Sequence, residues 1–272
     1  MMGQEISKSS KLIETNFVAK TYFDIDTNNL TYQKLIKKID LDKWYYKDKK
    51  IPYTHNDYGY RCDDISSIED NDYILTFGCS YSYGQGLFYE DVYATKLAKK
   101  LNLKNINLSI PGSGLKVQTY NTTLFITNFI KKRLPKYVIY QYPHDYRVSF
   151  ASKSGTNLHI ETKTINTNDD YVNDEYIKKY FLENPGMKYL QDLLEPLYLN
   201  NIWEALNVPI FHVTFGDYIQ EYKSEHQKFD IVDIEPDSTK LDYYELARDL
   251  SHNGRQFHHK VYKTILNKIK NG

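Results

Sequence analysis

A serine stands at a predicted strand-to-helix turn early in the chain, in the run Gly78-Cys-Ser80-Tyr-Ser-Tyr-Gly84. The apolar run Tyr73–Phe77 before it has the length of a strand, and the glycine at position 78 lets the backbone turn. A serine in such a turn exposes its hydroxyl and places its N–H near a helix N-terminus, where a developing negative charge is favoured. Ser80 is therefore a candidate nucleophile, although the pattern taken alone is more typical of a helix cap.

An aspartate and a histidine three positions apart, Asp249 and His252, precede the last predicted helix. In a loop or a first helical turn, the carboxylate can hold one ring nitrogen of the histidine and stabilise the imidazolium ion. The other ring nitrogen is then available as a general base for a serine hydroxyl. By itself, such a pair is common by chance and usually structural.

Two further loops contain groups that could stabilise an oxyanion. Gly112 follows the second predicted strand, and its backbone N–H together with that of Ser80 would make an oxyanion hole. The third predicted strand ends near Gln141 and His144, and either side chain could supply a third donor. Each loop alone is also explained as an ordinary turn at the end of a strand.

The elements that must position these residues alternate between strands and helices. Apolar runs predict strands at Tyr73–Phe77, Asn105–Ile110, Tyr137–Tyr142 and Val208–Thr214. Helices are predicted at Thr31–Ile39, Asp91–Leu101, Leu115–Lys132, Met187–Leu206 and Arg255–Ile269. This alternation indicates an α/β fold with a doubly wound parallel sheet, in which ligands bind beyond the carboxyl ends of the strands. Because the candidate residues follow strand ends or precede the last helix, we expect them to meet at that edge.

The remaining segments are interpreted from their composition. Residues 1–70 are polar and mixed, which predicts an N-terminal extension packed on a main domain of residues 71–272. Ala151–Tyr180 is polar, and residues 151–200 are expected to form an insertion or a lid. Residues 216–245 are acidic and expected to be irregular.

Composition excludes several classes of protein. The 272 residues include 35 Lys and Arg against 35 Asp and Glu, so the net charge of zero argues against a nucleic-acid partner. No apolar run approaches the ~18 residues of a membrane span, so no membrane partner is expected. The N-terminus lacks the basic start and apolar block of a secretory signal. Two cysteines, Cys62 and Cys79, cannot make a disulfide framework, and a reducing, cytoplasmic location is expected.

No cofactor or metal is expected either. The Gly84-Gln-Gly86 and Gly112-Ser-Gly114 runs lack the spacing of a dinucleotide fingerprint or a P-loop. The histidines form neither a Cys/His quartet nor a His-Glu-x-x-His pattern, and His258 is expected to have a supporting structural role.

Taken together, the serine and glycine blocks resemble motifs of the SGNH (GDSL-type) hydrolases, a family with a flavodoxin-like three-layer α/β/α fold that acts on esters. The family's Gly-Asp-Ser-x-Thr-x-Gly block is similar to Gly78–Gly84, with Cys79 in place of the aspartate and Ser82 in place of the threonine. Its Asn-x-Gly-x-x-Gly block is similar to Asn107–Gly112, with Ser109 in place of the first glycine.

The other blocks of the family follow in the same order. Its Gly-x-Asn-Asp block is degenerate here, as Tyr142–Asp145, which puts His144 at the asparagine position. Its Asp-x-x-His block matches Asp249 and His252. Upstream, Asn56–Arg61 is similar to an Asn-x-x-Gly-Phe/Tyr-Arg segment of several members and is expected to pack beside the site.

The resemblance implies a serine ester hydrolase in which Ser80 attacks the ester carbonyl, His252 takes its proton and Asp249 orients His252. The N–H groups of Ser80 and Gly112, with a side chain at His144 or nearby, would hold the oxyanion. A small acyl ester, such as an acetyl group on carbohydrate, is the implied substrate. Two alternatives stay open: transfer of the acyl group to a glycan by the same triad, and a binding module on a decayed hydrolase scaffold.

Overall fold

The computed structural model describes residues 4–6, 12, 20–22, 27, 30–143, 147–154, 157–164, 185–214, 229–234 and 245–272. A parallel sheet of five strands lies at its centre, formed by β4 (Tyr73–Phe77), β5 (Lys104–Asn107), β6 (Tyr137–Gln141), β9 (Ile210–Thr214) and β10 (Ile231–Asp233). The order across the sheet is β10-β9-β6-β4-β5. Counted along the chain, this is the 2-1-3-4-5 order of flavodoxin-like folds, which confirms the predicted α/β class.

Helices cover both faces of this sheet. Their bounds are α1 (Leu30–Leu35), α2 (Ser80–Tyr83), α3 (Tyr93–Leu101), α4 (Leu115–Phe129), α5 (Pro185–Ala205) and α6 (Arg255–Asn271). Short 3-10 turns lie at Leu41–Lys43, Ile65–Glu69 and Tyr89–Asp91. Leu75 of β4 packs in a cluster with residues of α4 and α5, whereas the adjacent Ile74 packs in a second cluster with residues of α3 and α6. Successive residues of a strand point to opposite faces, so the two clusters are the two sides of a three-layer α/β/α structure.

The central strands are buried on both faces, as the apolar runs predict. All five residues of β4 and of β9 are buried. Leu75 pairs with Ile106 of β5 on one side and with Val138 of β6 on the other. This parallel register brings the carboxyl ends of the strands to one edge, where the loops after β4, β5 and β6 begin.

Within the described ranges, two further sheets lie outside the central one. A hairpin of β7 (Arg147–Ser154) and β8 (Asn157–Thr164) pairs with β1 (Gln4–Ile6), and all three strands are antiparallel to their neighbours. The hairpin begins at Arg147, and from Ala151 onward it lies in the polar stretch for which an insertion or a lid is expected. Elsewhere, β2 (Lys20–Tyr22) pairs with β3 (Pro52–Thr54).

One expectation about the sheet is wrong. Residues 216–245 were expected to be irregular, but β10 forms the edge of the sheet at Ile231–Asp233 and pairs in parallel with β9. A strand of three residues has too short an apolar pattern to be recognised in the sequence, and its pairing is supplied by the exposed edge of β9.

The N-terminal part of the chain contributes to the core. Trp44, Tyr46, Ile51 and Tyr53 are buried in the cluster that includes α3 and α6. The division of the chain at residue 70 stays a prediction. None of the helices in the described ranges is long and apolar enough to cross a membrane.

Candidate active site

The turn that presents the serine connects β4 directly to α2. We call it the nucleophile turn (residues 78–84), after the role predicted for Ser80. Ser80 is the first residue of α2 and is 3% exposed. Only glycine fits at position 78, because a Cβ atom there would lie 2.5 Å from Ser82 Oγ and 3.0 Å from Gln141 Oε1. The helix stops after one turn at Gly84, which has a left-handed backbone with a φ of 80°. The serine hydroxyl is thus held at the carboxyl end of a central strand.

The loop that carries the aspartate and histidine is closed by its own backbone. We call it the acid–base loop (residues 245–254), after the roles predicted for Asp249 and His252. The N–H of Ala247 donates to the carbonyl of His252 at 2.8 Å, and that of Gly254 donates to Glu245 at 2.9 Å. Between these bonds, Leu250 is buried and has a left-handed φ of 52°. A non-glycine residue in this region is uncommon and indicates that the surrounding structure imposes the conformation.

Ser80, His252 and Asp249 form a continuous chain of hydrogen bonds. Nε2 of His252 lies 2.7 Å from Ser80 Oγ, and Nδ1 lies 2.5 Å from Asp249 Oδ2. Asp249 is 1% exposed, whereas the side chain of His252 is 16% exposed. A carboxylate can only accept, so Nδ1 donates to Asp249 and Nε2 accepts from the serine hydroxyl. The expected meeting of residues 80 and 252 is found, and their catalytic roles stay predictions.

Two residues beside this chain were not singled out by the sequence. Tyr81 packs its ring edge-on against His252, with 4.9 Å between the ring centroids. Gly86 accepts the N–H of Arg248 at 2.9 Å, and a Cβ atom on it would lie 3.1 Å from Asp249 Oδ1. The left-handed φ of 74° at Gly86 adds a second reason for glycine. In the sequence, Gly86 stands in the Gly84-Gln-Gly86 run, whose spacing does not indicate a contact with Asp249.

Gly112, the second predicted oxyanion donor, lies in a β-turn tied to the nucleophile turn. The N–H of Ser113 donates to Ile110 at 3.1 Å, and Gly112 has a φ of 78°, as in a type II turn with proline before glycine. Both Ile110 N–H and Ser113 Oγ donate to the carbonyl of Gly78, at 3.0 and 3.1 Å. A Cβ atom at Gly112 would meet nothing within 4 Å, so this glycine faces open space.

Asn107, the first residue of the second block, also braces the nucleophile turn. Its Nδ2 donates to the carbonyl of Ser82 at 2.7 Å, and its Oδ1 accepts the N–H of Ser109 at 3.1 Å. The two blocks are therefore joined by side-chain bonds from the end of β5.

Gln141, one of the two candidates for the third oxyanion donor, presents an acceptor rather than a donor to the nucleophile turn. His144 lies outside the described residues. Gln141 is fully buried, and its Oε1 accepts the N–H of Cys79 at 3.0 Å while its Nε2 donates to the carbonyl of Tyr142. The carbonyl end of this side chain, which has no proton to give, is the end that faces the nucleophile turn.

The Asn56–Arg61 segment packs beside the nucleophile turn, as the sequence predicts. The guanidinium of Arg61 is buried and donates to the carbonyls of Gly84 at 2.7 Å and Leu87 at 2.8 Å. It also lies over the ring of Tyr53, 4.3 Å from the centroid. A planar donor of this kind can hold several carbonyls at once.

His258 is buried in the first turn of α6 and stays neutral. Its Nδ1 accepts the backbone N–H of Tyr93 at 3.2 Å. Burial, and then the nearby His252, lower the pKa of His258 to about 3. Within the described ranges, no group of His, Cys, Asp and Glu side chains could hold a metal ion.

A cavity of about 530 Å³ lies at the two ends of the acid–base loop. It is lined by Tyr45, Tyr46, Asp91, Lys96, Glu245, Leu246, Arg255, Gln256, His259 and Lys260. Its volume is in the range of small-ligand sites. Neither Ser80 nor His252 is among its lining residues, so it is not assigned to the reacting group of a substrate.

No family model matches this sequence, and no curated protein matches it. Solved structures similar to the chain include the acetyl xylan esterase Est2A from Butyrivibrio proteoclasticus, with 14% identity and a TM-score of 0.43 over 74% of this chain and 64% of that one. A family two carbohydrate esterase from Clostridium thermocellum, in complex with cellohexaose, has 14% identity and a TM-score of 0.42 over 74% of this chain and 64% of that one.

A member of the lipolytic protein G-D-S-L family from Veillonella parvula has 11% identity and a TM-score of 0.38, over 71% of this chain and 96% of that one. The chain thus spans 64% of the length of the two carbohydrate esterases. Proteins described as carbohydrate esterases and as a member of the lipolytic G-D-S-L family are therefore among the solved structures to which the chain is similar. The activities named are those of the other proteins.

Proposed function

We propose that this protein is a serine hydrolase that cleaves short-chain acyl esters. The observation that supports the proposal most directly is the hydrogen-bonded chain from Ser80 through His252 to Asp249, with distances of 2.7 and 2.5 Å. A hydroxyl in contact with a base that is itself oriented by a carboxylate is the arrangement that nucleophilic catalysis needs.

In the proposed mechanism, Ser80 Oγ attacks the ester carbonyl carbon while Nε2 of His252 takes the hydroxyl proton. Asp249 stabilises the imidazolium that forms. The tetrahedral intermediate then collapses: the ester C–O bond breaks, and His252 returns its proton to the departing alcohol oxygen. A water molecule attacks the acyl-serine with His252 again as base, which releases the acid and restores the serine.

Two backbone donors are available for the oxyanion. Ser80 is the first residue of α2, and the first N–H groups of a helix have no acceptor within the helix. In the turn around Gly112 the closing hydrogen bond is made by the next N–H, that of Ser113, so the glycine N–H is not needed there. One lost donor costs about 10²- to 10³-fold in kcat in such sites. A third donor at His144 stays a prediction.

The substrate class follows from the family resemblance, which implies small acyl groups, including acetyl groups on carbohydrate. The acyltransferase alternative uses the same acyl-serine and differs only in the acceptor, a sugar hydroxyl in place of water. A decayed binding module is disfavoured, because such a scaffold is not required to keep Ser80, His252 and Asp249 in contact. The cytoplasmic location expected from the sequence also stays a prediction.

The test is hydrolysis of p-nitrophenyl acetate, butyrate and octanoate and of acetylated xylan by the wild type, Ser80→Ala and Ser251→Ala. Ser251 lies in the acid–base loop with an exposed side chain, so its variant is a matched control. We expect Ser80→Ala to lower kcat/KM by at least about 10³-fold and Ser251→Ala to leave it unchanged. A fluorophosphonate should label the wild type but not Ser80→Ala. Equal hydrolysis by the wild type and Ser80→Ala would favour the binding module.

Adding a soluble xylo-oligosaccharide to the acetate assay separates the two enzymatic alternatives. A hydrolase releases acetate at the same rate with or without the sugar. Formation of acetylated sugar in place of acetate would favour the transferase.

A further inference from the structure

We propose that Gln141 is the positioning residue of the nucleophile turn: its side-chain carbonyl holds Cys79 and Ser82, the residues that flank Ser80 at positions −1 and +2. The inference rests on the proposed hydrolase function and adds a residue to it. Gln141 is fully buried at the end of β6, the strand that pairs with β4.

A single oxygen of Gln141 lies within hydrogen-bond distance of three donors of the turn. Oε1 lies 3.0 Å from the N–H of Cys79, 3.1 Å from Cys79 Sγ and 3.3 Å from Ser82 Oγ. A Cβ atom at position 78 would lie 2.5 Å from Ser82 Oγ and 3.0 Å from this oxygen, so a side chain there would displace the cluster. The turn is thus built around the amide of Gln141.

The direction of each proton in this cluster can be deduced. A backbone N–H can only donate, so the carbonyl end of the Gln141 amide must face Cys79. Because that oxygen can only accept, Ser82 donates its one hydroxyl proton to it. In the hydrogen bond between Ser82 Oγ and Tyr93 Oη, which are 2.6 Å apart, the Tyr93 phenol must therefore be the donor. Burial raises the pKa of Tyr93, so its phenol keeps the proton that it donates.

The amide itself is anchored. Its Nε2 donates to the carbonyl of Tyr142, and the backbone carbonyl of Gln141 accepts Nε2 of Gln118 from α4 at 3.0 Å. Because both ends of the side-chain amide are hydrogen-bonded, its rotation is restricted, which suits an anchor.

The turn needs such an anchor because it cannot stabilise itself. α2 is only four residues long, and isolated helical turns are unstable in water. The Cys79 side chain, at the N-cap of α2, makes no capping bond to it in the described structure, whereas Ser, Thr, Asp and Asn are the usual caps. The family resemblance places an aspartate at this position. The bond from Gln141 to the N–H of Cys79 therefore sets where the Ser80 hydroxyl points.

The experiment compares Gln141→Met with Asn121→Leu. Asn121 is a second buried amide, which donates to Tyr60 Oη at 2.8 Å, so both variants replace a buried amide by an apolar side chain of similar size. We expect Gln141→Met to lower kcat by about 10- to 100-fold with KM unchanged, because a small misplacement of a reacting group costs up to about 10²-fold. Fluorophosphonate labelling of Ser80 should slow by the same factor. Asn121→Leu should lower the melting temperature without changing kcat.

A kcat for Gln141→Met equal to that of Asn121→Leu, with active wild type, overturns the positioning role alone. A rise in KM without a fall in kcat does the same. Wild type that neither hydrolyses esters nor is labelled at Ser80 overturns the proposed function and this role with it. Where Gln141→Met does not fold, Ser82→Ala takes its place: a several-fold fall in kcat supports the role, and an unchanged kcat and labelling rate overturns it.

Discussion

Asp249 contacts His252 through both of its carboxylate oxygens. Oδ2 lies 2.5 Å from the ring Nδ1, and Oδ1 accepts the backbone N–H of the same histidine at 3.1 Å. Oδ1 also accepts the N–H of Ser251 at 3.1 Å. Since the two backbone groups can only donate, the main chain of the acid–base loop determines which oxygen faces the imidazole.

Asp249→Asn should abolish most of the activity while the fold is kept. The two backbone N–H groups require an oxygen at the Oδ1 position, so the new NH₂ group must face Nδ1 of His252. Nδ1 then becomes an acceptor and Nε2 carries the proton, which leaves no base for the Ser80 hydroxyl. We expect kcat to fall by about 10⁴-fold, measured on p-nitrophenyl acetate. Less than a tenfold loss with a native melting curve would contradict the assigned tautomer.

Gly86→Ala should lower both activity and stability, although Gly86 is not a member of the triad. The added Cβ would lie 2.8 Å from Ala247 Cβ and 3.1 Å from Asp249 Oδ1, on a backbone with a φ of 74°. We expect a loss of about 1–3 kcal/mol in the free energy of unfolding and a lower kcat, since the acid–base loop must shift. Urea denaturation and ester hydrolysis measure the two effects.

The double variant Gly86→Ala/Ala247→Gly separates the clash from the backbone strain. Removing the Ala247 Cβ relieves the 2.8 Å contact but leaves the left-handed φ. The double variant should therefore lose less free energy of unfolding than the two single variants lose in sum. If the losses of the two single variants add up to that of the double variant, the contact with the Ala247 Cβ does not contribute to the destabilisation.

Arg61→Lys should destabilise the protein although the charge is kept. The guanidinium donates to Gly84 and Leu87 at once, and an ammonium group cannot reproduce that planar geometry. Leaving a buried carbonyl without its donor costs about 1–3 kcal/mol, and we expect a loss of that order in thermal or urea unfolding. Arg133→Lys is the matched control, because Arg133 pairs with Asp72 at the surface. Equal, small effects of the two variants would contradict the buried role of Arg61.

His258 should make the protein less stable as the pH falls. The folded pKa is about 3, whereas an unfolded histidine has a pKa of about 6.5. Between these values the unfolded chain binds a proton that the folded protein does not, so the free energy of unfolding decreases by up to about 1.4 kcal/mol per pH unit. His258→Gln should remove this slope from urea titrations at pH 7, 5.5 and 4.

His259→Gln is the control for that measurement, since His259 is the adjacent residue on α6 and is exposed. Its pH dependence should match that of the wild type. If the free energy of unfolding depends on pH equally in the wild type and in His258→Gln, the buried imidazole is not the source of the pH dependence.

Much of the architecture could be predicted from local pattern. The apolar runs at β4, β6 and β9 and the periodicity of α3 and α6 are properties of neighbouring residues, and these elements lie where they were expected. β10 was missed, because three residues at an edge become a strand only through pairing with β9. The predicted strand Asn105–Ile110 ends earlier, at Asn107, and Ile110 instead begins the turn around Gly112.

The supporting residues of the site were harder to foresee than the triad. The sequence leaves open whether His144 or Gln141 supplies the third oxyanion donor, and the carbonyl of Gln141 faces the turn because the N–H of Cys79 requires an acceptor. The importance of Gly86 depends on Asp249 lying beside it, which no spacing along the chain indicates.

The kinds of residue available for chemistry, their order, and the alternation of strands and helices that places them in loops can all be read from the amino-acid sequence. These follow from composition and short-range pattern. Which groups meet, and which atom of each faces the other, depends on long-range packing. Ser80 and His252 are 172 positions apart, and their 2.7 Å contact exists because the parallel sheet brings the nucleophile turn to the edge where the acid–base loop, closed by its own backbone bonds, packs against it.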